Sequence, residues 1–174
     1  DEDPLYSKPV YIGEDTITKV IIPEGVTDIQ QYAFAGLTAL EEVVLPSTLN
    51  RIGVGVFYGC TNLKTINLEH VQFINKEAFR NTALTDISPD AAAAICDYAF
   101  VVSSLGFLEL PSSCQSLGMG AFYANKYLTD VRIGASRIKI GSYVFAECPM
   151  LVSVNINAAV ISSYAFFNCS GLAG

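Results

Sequence analysis

The amino-acid sequence predicts a repeat solenoid, rich in β-structure, with about seven coils of 21–23 residues. Two series of anchor residues carry this prediction. The first is a phenylalanine that follows Ala or Val: Phe34, Phe57, Phe79, Phe100, Phe122, Phe145 and Phe166. The second is an aliphatic residue that opens each unit: Ile17, Leu40, Leu63, Leu84, Leu105, Leu128, Leu151 and Leu172. A unit of this size cannot bury its own apolar face, so stacked neighbours must share one core.

Each unit begins with a short strand and ends with a tight turn around the phenylalanine. Unit two reads Leu40-x-x-Val43-x-Leu45-Pro46-x-x-Leu49-x-x-Ile52-Gly53-x-x-Val56-Phe57-x-Gly59-Cys60. Alternate side chains of a strand point the same way, so Val43 and Leu45 are expected to point inward together. Proline lacks an amide hydrogen, so Pro46 ends the strand pairing. The segment from Leu49 to Gly53 is expected to be a second, returning strand.

This pattern resembles the BspA-type leucine-rich repeat, L-x-x-V-x-I-P-x-x-V-x-x-I-G-x-x-A-F-x-G-C, over residues 17–172. The resemblance implies a leucine-rich-repeat horseshoe, a right-handed coil with one parallel strand per repeat on its concave side. The convex side would consist of short strands and 3₁₀ turns. Members of this family occur in many secreted and surface proteins of bacteria and some protozoa.

Composition argues against a chemical site. The chain is 51% apolar, with nine Tyr, ten Phe, no Trp and a single His. No stretch approaches the ~18 uninterrupted apolar residues of a membrane-spanning helix. The one imidazole, His70, is expected in an exposed turn, and no metal-ligand cluster or nucleophile motif occurs. The sequence therefore predicts a protein that is not an enzyme and has no catalytic residue, metal site or cofactor.

The net charge of −7 comes from the N-terminal end. Residues 1–50 hold nine acidic side chains against Lys8 and Lys19, whereas residues 51–174 hold eight of each sign. An acidic chain repels phosphate backbones, so no nucleic-acid partner is expected. An electrostatic preference for a ligand, if present, is predicted near the N-terminal end.

The five cysteines follow the repeat and are expected to be free thiols. Cys60, Cys148 and Cys169 stand three residues after their phenylalanine, Cys114 matches the inward Leu49, and Cys96 matches Gly53. Cys148 and Cys169 would lie about one strand spacing (~5 Å) apart in adjacent coils. Their parallel side chains disfavour a disulfide between them, without deciding the matter.

The outward positions of the first strands are the predicted binding surface, because the inward positions are used by the core. The candidate ligand contacts on this concave side are Lys19, Ile21, Glu42, Val44, Asn67, Phe107, Glu109, Asp130 and Arg132. Phe107 is a candidate anchor, since an exposed aromatic residue among polar neighbours can serve as a protein contact. The alternative is that a neighbouring side chain covers it. Units three and four depart from the repeat, which indicates ordinary drift or, alternatively, a binding site there.

Tyrosines recur beside the phenylalanine on the convex side. Two residues before it stand Tyr32, Gly55, Glu77, Tyr98, Gly120, Tyr143 and Tyr164, and where this residue is Gly, the residue after the phenylalanine is Tyr. Positions three apart share a face of a tight turn, so one ring is expected to cover the same spot in most units. Such a spine could seal the core or provide a stacking platform for sugars.

The two ends of the chain differ. Residues 1–16 are predicted to form an atypical N-terminal cap, followed by the repeat domain at 17–174. Leu172 opens an eighth unit that breaks off at Gly174, which suggests a fragment or end-to-end self-association. The chain has no Met at its start and no signal-peptide pattern, so a signal peptide is presumed removed.

By resemblance, the predicted function is that of a secreted or cell-surface module that mediates adhesion or protein binding. The expected partner is a host or matrix protein. A carbohydrate-binding accessory module and a structural spacer of a larger surface protein are the alternatives.

Overall fold

The computed structural model describes residues 16–172, apart from the side chains of residues 135 and 136. The predicted N-terminal cap therefore lies outside the described residues except for Thr16, and its boundary stays a prediction. The described part is a β-solenoid with one 3₁₀ helix, Ser170–Leu172. Its strands are β1 Lys19–Ile21, β2 Asp28–Ile29, β3 Glu42–Val44, β4 Arg51–Ile52, β5 Thr65–Ile66, β6 Phe73–Ile74, β7 Ala94–Ile95, β8 Phe107–Leu110, β9 Ser116–Leu117, β10 Asp130–Ile140 and β11 Ser153–Ile161.

The strands stack into two parallel rows, which confirms the predicted solenoid. The first-strand row consists of two parts. One part is the sheet of β1, β3 and β5, and the other is formed by β8 together with the first residues of β10 and β11. The second-strand row runs β2-β4-β6-β7-β9 and continues into the ends of β10 and β11. Registers advance by one repeat, as in the pairs Val20↔Val43 and Ile52↔Ile74.

Proline sets the ends of the first strands, as the sequence predicts. β1 and β3 end one residue before Ile22-Pro23 and Leu45-Pro46, and β8 ends directly before Pro111. Units six and seven have no proline at the corresponding corner. There β10 and β11 continue around the corner and pair with each other over both legs of the coil, with irregular register between Arg132 and Lys139.

The seven anchor phenylalanines form one continuous stack. Ring centroids of successive residues lie 5.0–5.6 Å apart, with interplanar angles of 1–14°. The five central rings are fully buried, and Phe34 and Phe166 are half-buried. The inward aliphatic residues of both strand rows pack around this stack in a single core cluster, which accounts for the apolar half of the composition.

The phenylalanine turn adds a third column of hydrogen bonds between coils. The amide of each of the first six anchors donates to the residue before the next anchor, as from Phe100 N to Ala121 O at 2.8 Å. The turn requires a left-handed residue on each side. All seven residues two before the phenylalanine have φ of 57–61°, and all seven residues two after it have φ of 55–79°. Each turn is closed by a hydrogen bond of the 3₁₀ type between residues three apart, as from Ala35 N to Tyr32 O at 3.1 Å, in agreement with the short turns that the resemblance implied.

The side chain three residues after each phenylalanine is buried next to this column of hydrogen bonds. This position holds Leu37, Cys60, Thr82, Ser103, Asn125, Cys148 and Cys169, all buried. Most of these side chains donate to a phenylalanine carbonyl, usually that of the preceding coil. Cys60 Sγ lies 3.1 Å from Phe34 O, and Cys169 Sγ lies 2.9 Å from Phe145 O. The cysteines are thus donors in the scaffold.

Burial keeps these thiols protonated. It raises the pKa of Cys60 and of Cys148 to about 12, and that of Cys114 to about 11. All five cysteines are free in the structure, as the sequence predicts. A thiol that stays protonated is a poor nucleophile and metal ligand, so the cysteines serve packing and hydrogen bonding.

Candidate functional site

The first-strand row presents two parallel lines of outward side chains, here called the first-strand face. The first line is Lys19, Glu42, Thr65, Asp86, Phe107, Asp130 and Ser153, and the second is Ile21, Val44, Asn67, Ser88, Glu109, Arg132 and Asn155. All nine predicted contact residues lie on this face. Each of them is exposed or half-buried, with Ile21 at 66% and Phe107 at 36% exposure. Their contact with a ligand stays a prediction.

Oppositely charged side chains pair in the N-terminal half of this face and directly beside it. Lys19 Nζ lies 2.8 Å from a carboxylate oxygen of Glu42, and Lys64 Nζ lies 3.1 Å from one of Glu41. All four side chains are well exposed, so each pair contributes little to stability. The pairing nevertheless neutralises the two glutamates of unit two. A shallow depression of about 320 Å³ lies beside them, lined by Glu42, Val43, Val44, Thr65, Ile66 and Asn67.

Asn67 is held by the backbone of the preceding coil. Leu45 N donates to Asn67 Oδ1 at 2.7 Å, and Asn67 Nδ2 donates to Leu45 O at 3.0 Å. The side-chain amide replaces the main-chain pairing that the next residue of β5 would have made, so β5 stops after two residues although unit three has no proline. Asn67 therefore has a structural role that its position in the sequence did not reveal.

The first-strand row is interrupted at unit four. Residues 85–89 form no strand, and β8 pairs with β10 alone. This is the unit in which the sequence pattern slips and Pro89 occupies an inward position, where it is buried. The second-strand row and the phenylalanine stack continue past the interruption without a gap. The slip thus affects only the first-strand face and divides it in two.

Phe107 dominates the C-terminal half of the face. The guanidinium of Arg132 lies over its ring, with Cζ 5.4 Å from the ring centroid. Asp130 pairs in register with Phe107, and Glu109 pairs in register with Arg132. The carboxylates of Asp86 and Asp130 each accept a hydrogen bond from the preceding threonine hydroxyl, at 3.2 and 2.7 Å. The half contains three carboxylates and one guanidinium, a formal charge of −2.

The tyrosine line on the turn side is the second candidate surface. Where the next coil has glycine, the tyrosine ring lies over that glycine: a β-carbon on Gly120 would lie 2.7 Å from Cε1 of Tyr98. The ring over Gly55 is likewise that of Tyr32, whereas the sequence interpretation paired Gly55 with Tyr58 of its own turn. Where two tyrosines follow one another they stack, with centroids 5.1 Å apart at Tyr143 and Tyr164. Stacked rings offer edges and hydroxyls to solvent, whereas sugars need exposed ring faces.

The described residues contain no group of three or more His, Cys, Asp or Glu side chains that could hold a metal ion. His70 is exposed, as predicted. Within residues 16–172 no helix has the length and apolar character needed to cross a membrane.

Parallel coils with two strand rows and a shared aromatic stack define a leucine-rich repeat solenoid. The chain belongs to the BspA type leucine rich repeat family, whose profile matches residues 9–90 and 93–173 with six copies. This confirms the resemblance on which the sequence interpretation depended, and six matched copies agree roughly with the seven phenylalanine units. No curated protein sequence matches the chain.

Solved structures of bacterial leucine-rich repeat proteins have the same fold. A leucine-rich repeat protein from T. pallidum is 29% identical with a TM-score of 0.72, over 83% of this chain and 71% of that one. One from Bacteroides ovatus is 27% identical with a TM-score of 0.68, over 88% of this chain and 47% of that one. One from Eubacterium ventriosum, 18% identical with a TM-score of 0.65, supports the fold alone, over 91% of this chain and 66% of that one. The chain thus spans about half of the Bacteroides ovatus protein.

Proposed function

We propose that this chain is a non-enzymatic binding module of a secreted or cell-surface bacterial protein, and that it attaches to a host or matrix protein through the first-strand face. The observation that carries the proposal is the contrast between two sets of positions. The anchor and inward positions repeat from coil to coil, whereas the fourteen outward positions of the face vary in charge, size and polarity. Repeat solenoids use such extended faces for binding, since the scaffold tolerates any side chain there.

Membership in the BspA type family supports the proposed location, because proteins with this repeat are generally secreted or displayed on cells. The protonated, buried thiols of this chain are compatible with an oxidising environment outside the cell. The location is tested by fractionating the source cells and probing for this chain with an antibody. Recovery in the cytosolic fraction alone would contradict it.

A binding screen against matrix and serum proteins tests the proposed function. The matched variants are Phe107→Ala, which removes a 36% exposed aromatic side chain from the first-strand face, and Tyr58→Ala, which removes a 37% exposed one from the turn side. We expect a partner whose affinity falls in the first variant and is unchanged in the second. Equal affinity of both variants for every partner found would reject Phe107 as an anchor of the contact surface.

Carbohydrate binding through the tyrosine line is the second candidate function. The observation in its favour is the exposure of Tyr164, 59%, whose ring meets Phe167 edge-to-face at 5.8 Å. A glycan array with the wild-type chain and Tyr164→Ala tests it. Binding of a glycan that the variant loses would support a carbohydrate-binding module. A chain that binds neither proteins nor glycans would be a structural spacer.

Self-association through the last coil is a separate proposal about partners. Within the described residues β11 pairs only with β10, and Val160, Ile161 and Tyr164 are more than half exposed. Sedimentation velocity over a range of concentrations tests it, with Ile161→Lys as the variant that places a charge on this edge. Monomers at every concentration would contradict the proposal.

A further inference from the structure

The two halves of the first-strand face differ in how their charges are satisfied. In the N-terminal half, Glu41 and Glu42 each form an ion pair with a lysine. In the C-terminal half, Asp86, Glu109 and Asp130 form no ion pair with any described residue. The net charge of the sequence pointed to the N-terminal end as the place for electrostatic recognition. Five of the nine acidic residues of that end lie outside the described residues, so this expectation stays a prediction. Among the described residues of this face, the carboxylates without an ion pair lie in the half that contains Phe107.

Phe107 already accepts a cation from within the chain. The Arg132 guanidinium lies over its ring, while Arg132 itself is exposed and forms no ion pair among the described residues. A cation over an exposed aromatic ring is held weakly, so a second guanidinium or ammonium can compete for the site or add to it. The internal contact demonstrates that a guanidinium can reach the face of this ring.

We propose that Asp86, Phe107, Glu109 and Asp130 bind a lysine- or arginine-rich segment of the protein partner. This inference depends on the proposed function and names the chemistry of its ligand. Asp130 pairs in register with Phe107 on one side. On the other side Gly106 N donates to Thr85 O at 3.1 Å, which places Asp86 in the coil next to Phe107. An extended basic segment crossing the strands places successive cations at the two aspartates, and the stem between them packs on the ring. Anionic partners such as nucleic acids and acidic membranes are repelled.

Binding of a short peptide with alternating arginine and serine tests the inference on the whole 174-residue chain. The control peptide has citrulline in place of arginine, which keeps the shape and removes the charge. Fluorescence polarisation at low and physiological salt is expected to give binding for the arginine peptide alone. Its affinity should fall as salt rises, since exposed charges are screened beyond about 10 Å at 0.1 M.

Charge-matched variants separate a specific site from general attraction. Asp86→Asn with Asp130→Asn and, separately, Phe107→Ala are each expected to weaken the arginine peptide by about fivefold or more. Asp28→Asn with Glu69→Gln removes the same charge from exposed positions off the face and should leave affinity unchanged. The asparagines can still accept the threonine hydrogen bonds, and thermal unfolding verifies that every variant is folded.

Three results would overturn the inference: equal binding of the citrulline peptide, equal weakening by the control pair, or unchanged affinity in Asp86→Asn with Asp130→Asn. The proposed function fails separately. A protein partner whose binding needs the first-strand face but ignores these four residues would leave that function standing and overturn the basic ligand. Specific binding of the arginine peptide, with no protein partner in the screen, would support the site for a basic ligand and contradict the proposed function.

Discussion

Gly59→Ala and Gly106→Ala form a matched pair that measures the cost of the left-handed turn position. Gly59 has φ of 71°, and an added β-carbon would approach only Gly36 Cα, at 3.9 Å. Gly106 lies outside the left-handed region, and an added β-carbon would meet nothing within 4 Å. Neither substitution causes a clash, so the two differ only in the conformation that alanine must adopt. Ala124 at φ of 58° demonstrates that the turn accepts this residue.

The expected difference follows from two terms. Replacing glycine by alanine reduces the freedom of the unfolded chain, which stabilises the protein by about 0.4–1 kcal/mol where the native conformation allows it. This term is common to both variants and cancels between them. Alanine in the left-handed region costs about 1–2 kcal/mol. We therefore expect Gly106→Ala to be slightly more stable than the wild type, and Gly59→Ala to be less stable than Gly106→Ala by about 1–2 kcal/mol.

Urea unfolding followed by circular dichroism measures this difference, provided that the slopes of the two variants agree. A repeat protein can unfold in stages, so the transition should be monitored by a second probe, tyrosine fluorescence. Equal stabilities of the two variants would refute the left-handed assignment at Gly59. Because thirteen other residues occupy the same two turn positions, that result would also undermine the conformation of every phenylalanine turn.

Three further predictions concern the core, the thiols and pH. Phe100→Ala removes a fully buried ring stacked on both sides and should cost about 3–5 kcal/mol in urea unfolding, whereas Phe100→Leu should cost much less. A thiol reagent at pH 8 should react only with the half-buried Cys96 in the native chain, and with all five cysteines after denaturation. Fast reaction of several thiols in the native chain would contradict their burial. Hydrogen bonds from the backbone amide and then the hydroxyl of Ser47 lower the pKa of Glu24, so Ser47→Ala should raise that pKa only partly in an NMR titration. These hydrogen bonds stabilise the folded chain above the unfolded-state pKa of Glu24, and this stabilisation is lost as pH falls through the lower folded-state pKa. A Glu24 pKa at its ordinary value would contradict the contact.

The sequence was sufficient for the parts of the fold that depend on one residue type at one spacing. The phenylalanine period predicted the stack, and alternation predicted that Val43 and Leu45 are buried while Val44 is outward. Proline predicted where β1, β3 and β8 end. In each case a single local property, such as ring size or a missing amide hydrogen, determines the outcome.

Other features depend on contacts between coils and could not be predicted in this way. Tyr32 and Glu77 share a left-handed backbone with Gly55, although tyrosine and glutamate do not favour that conformation. The carbonyl bonds of Cys60 and Cys169 require knowing which atom of the preceding coil lies beneath them. The sequence slip in unit four was visible, but it did not predict that residues 85–89 form no strand while Pro89 is buried.

The contacts between coils also determine where binding specificity can lie. Two columns of hydrogen bonds, at the second strands and at the phenylalanine turns, continue through all the described coils and hold unit four in the stack. The first-strand row can therefore be interrupted there without breaking the solenoid. The interruption separates a half with glutamates neutralised by Lys19 and Lys64 from the half that contains Phe107, where the carboxylates form no ion pair with a described residue. A local irregularity in a redundant scaffold thus gives one stretch of an otherwise uniform surface its own electrostatic character.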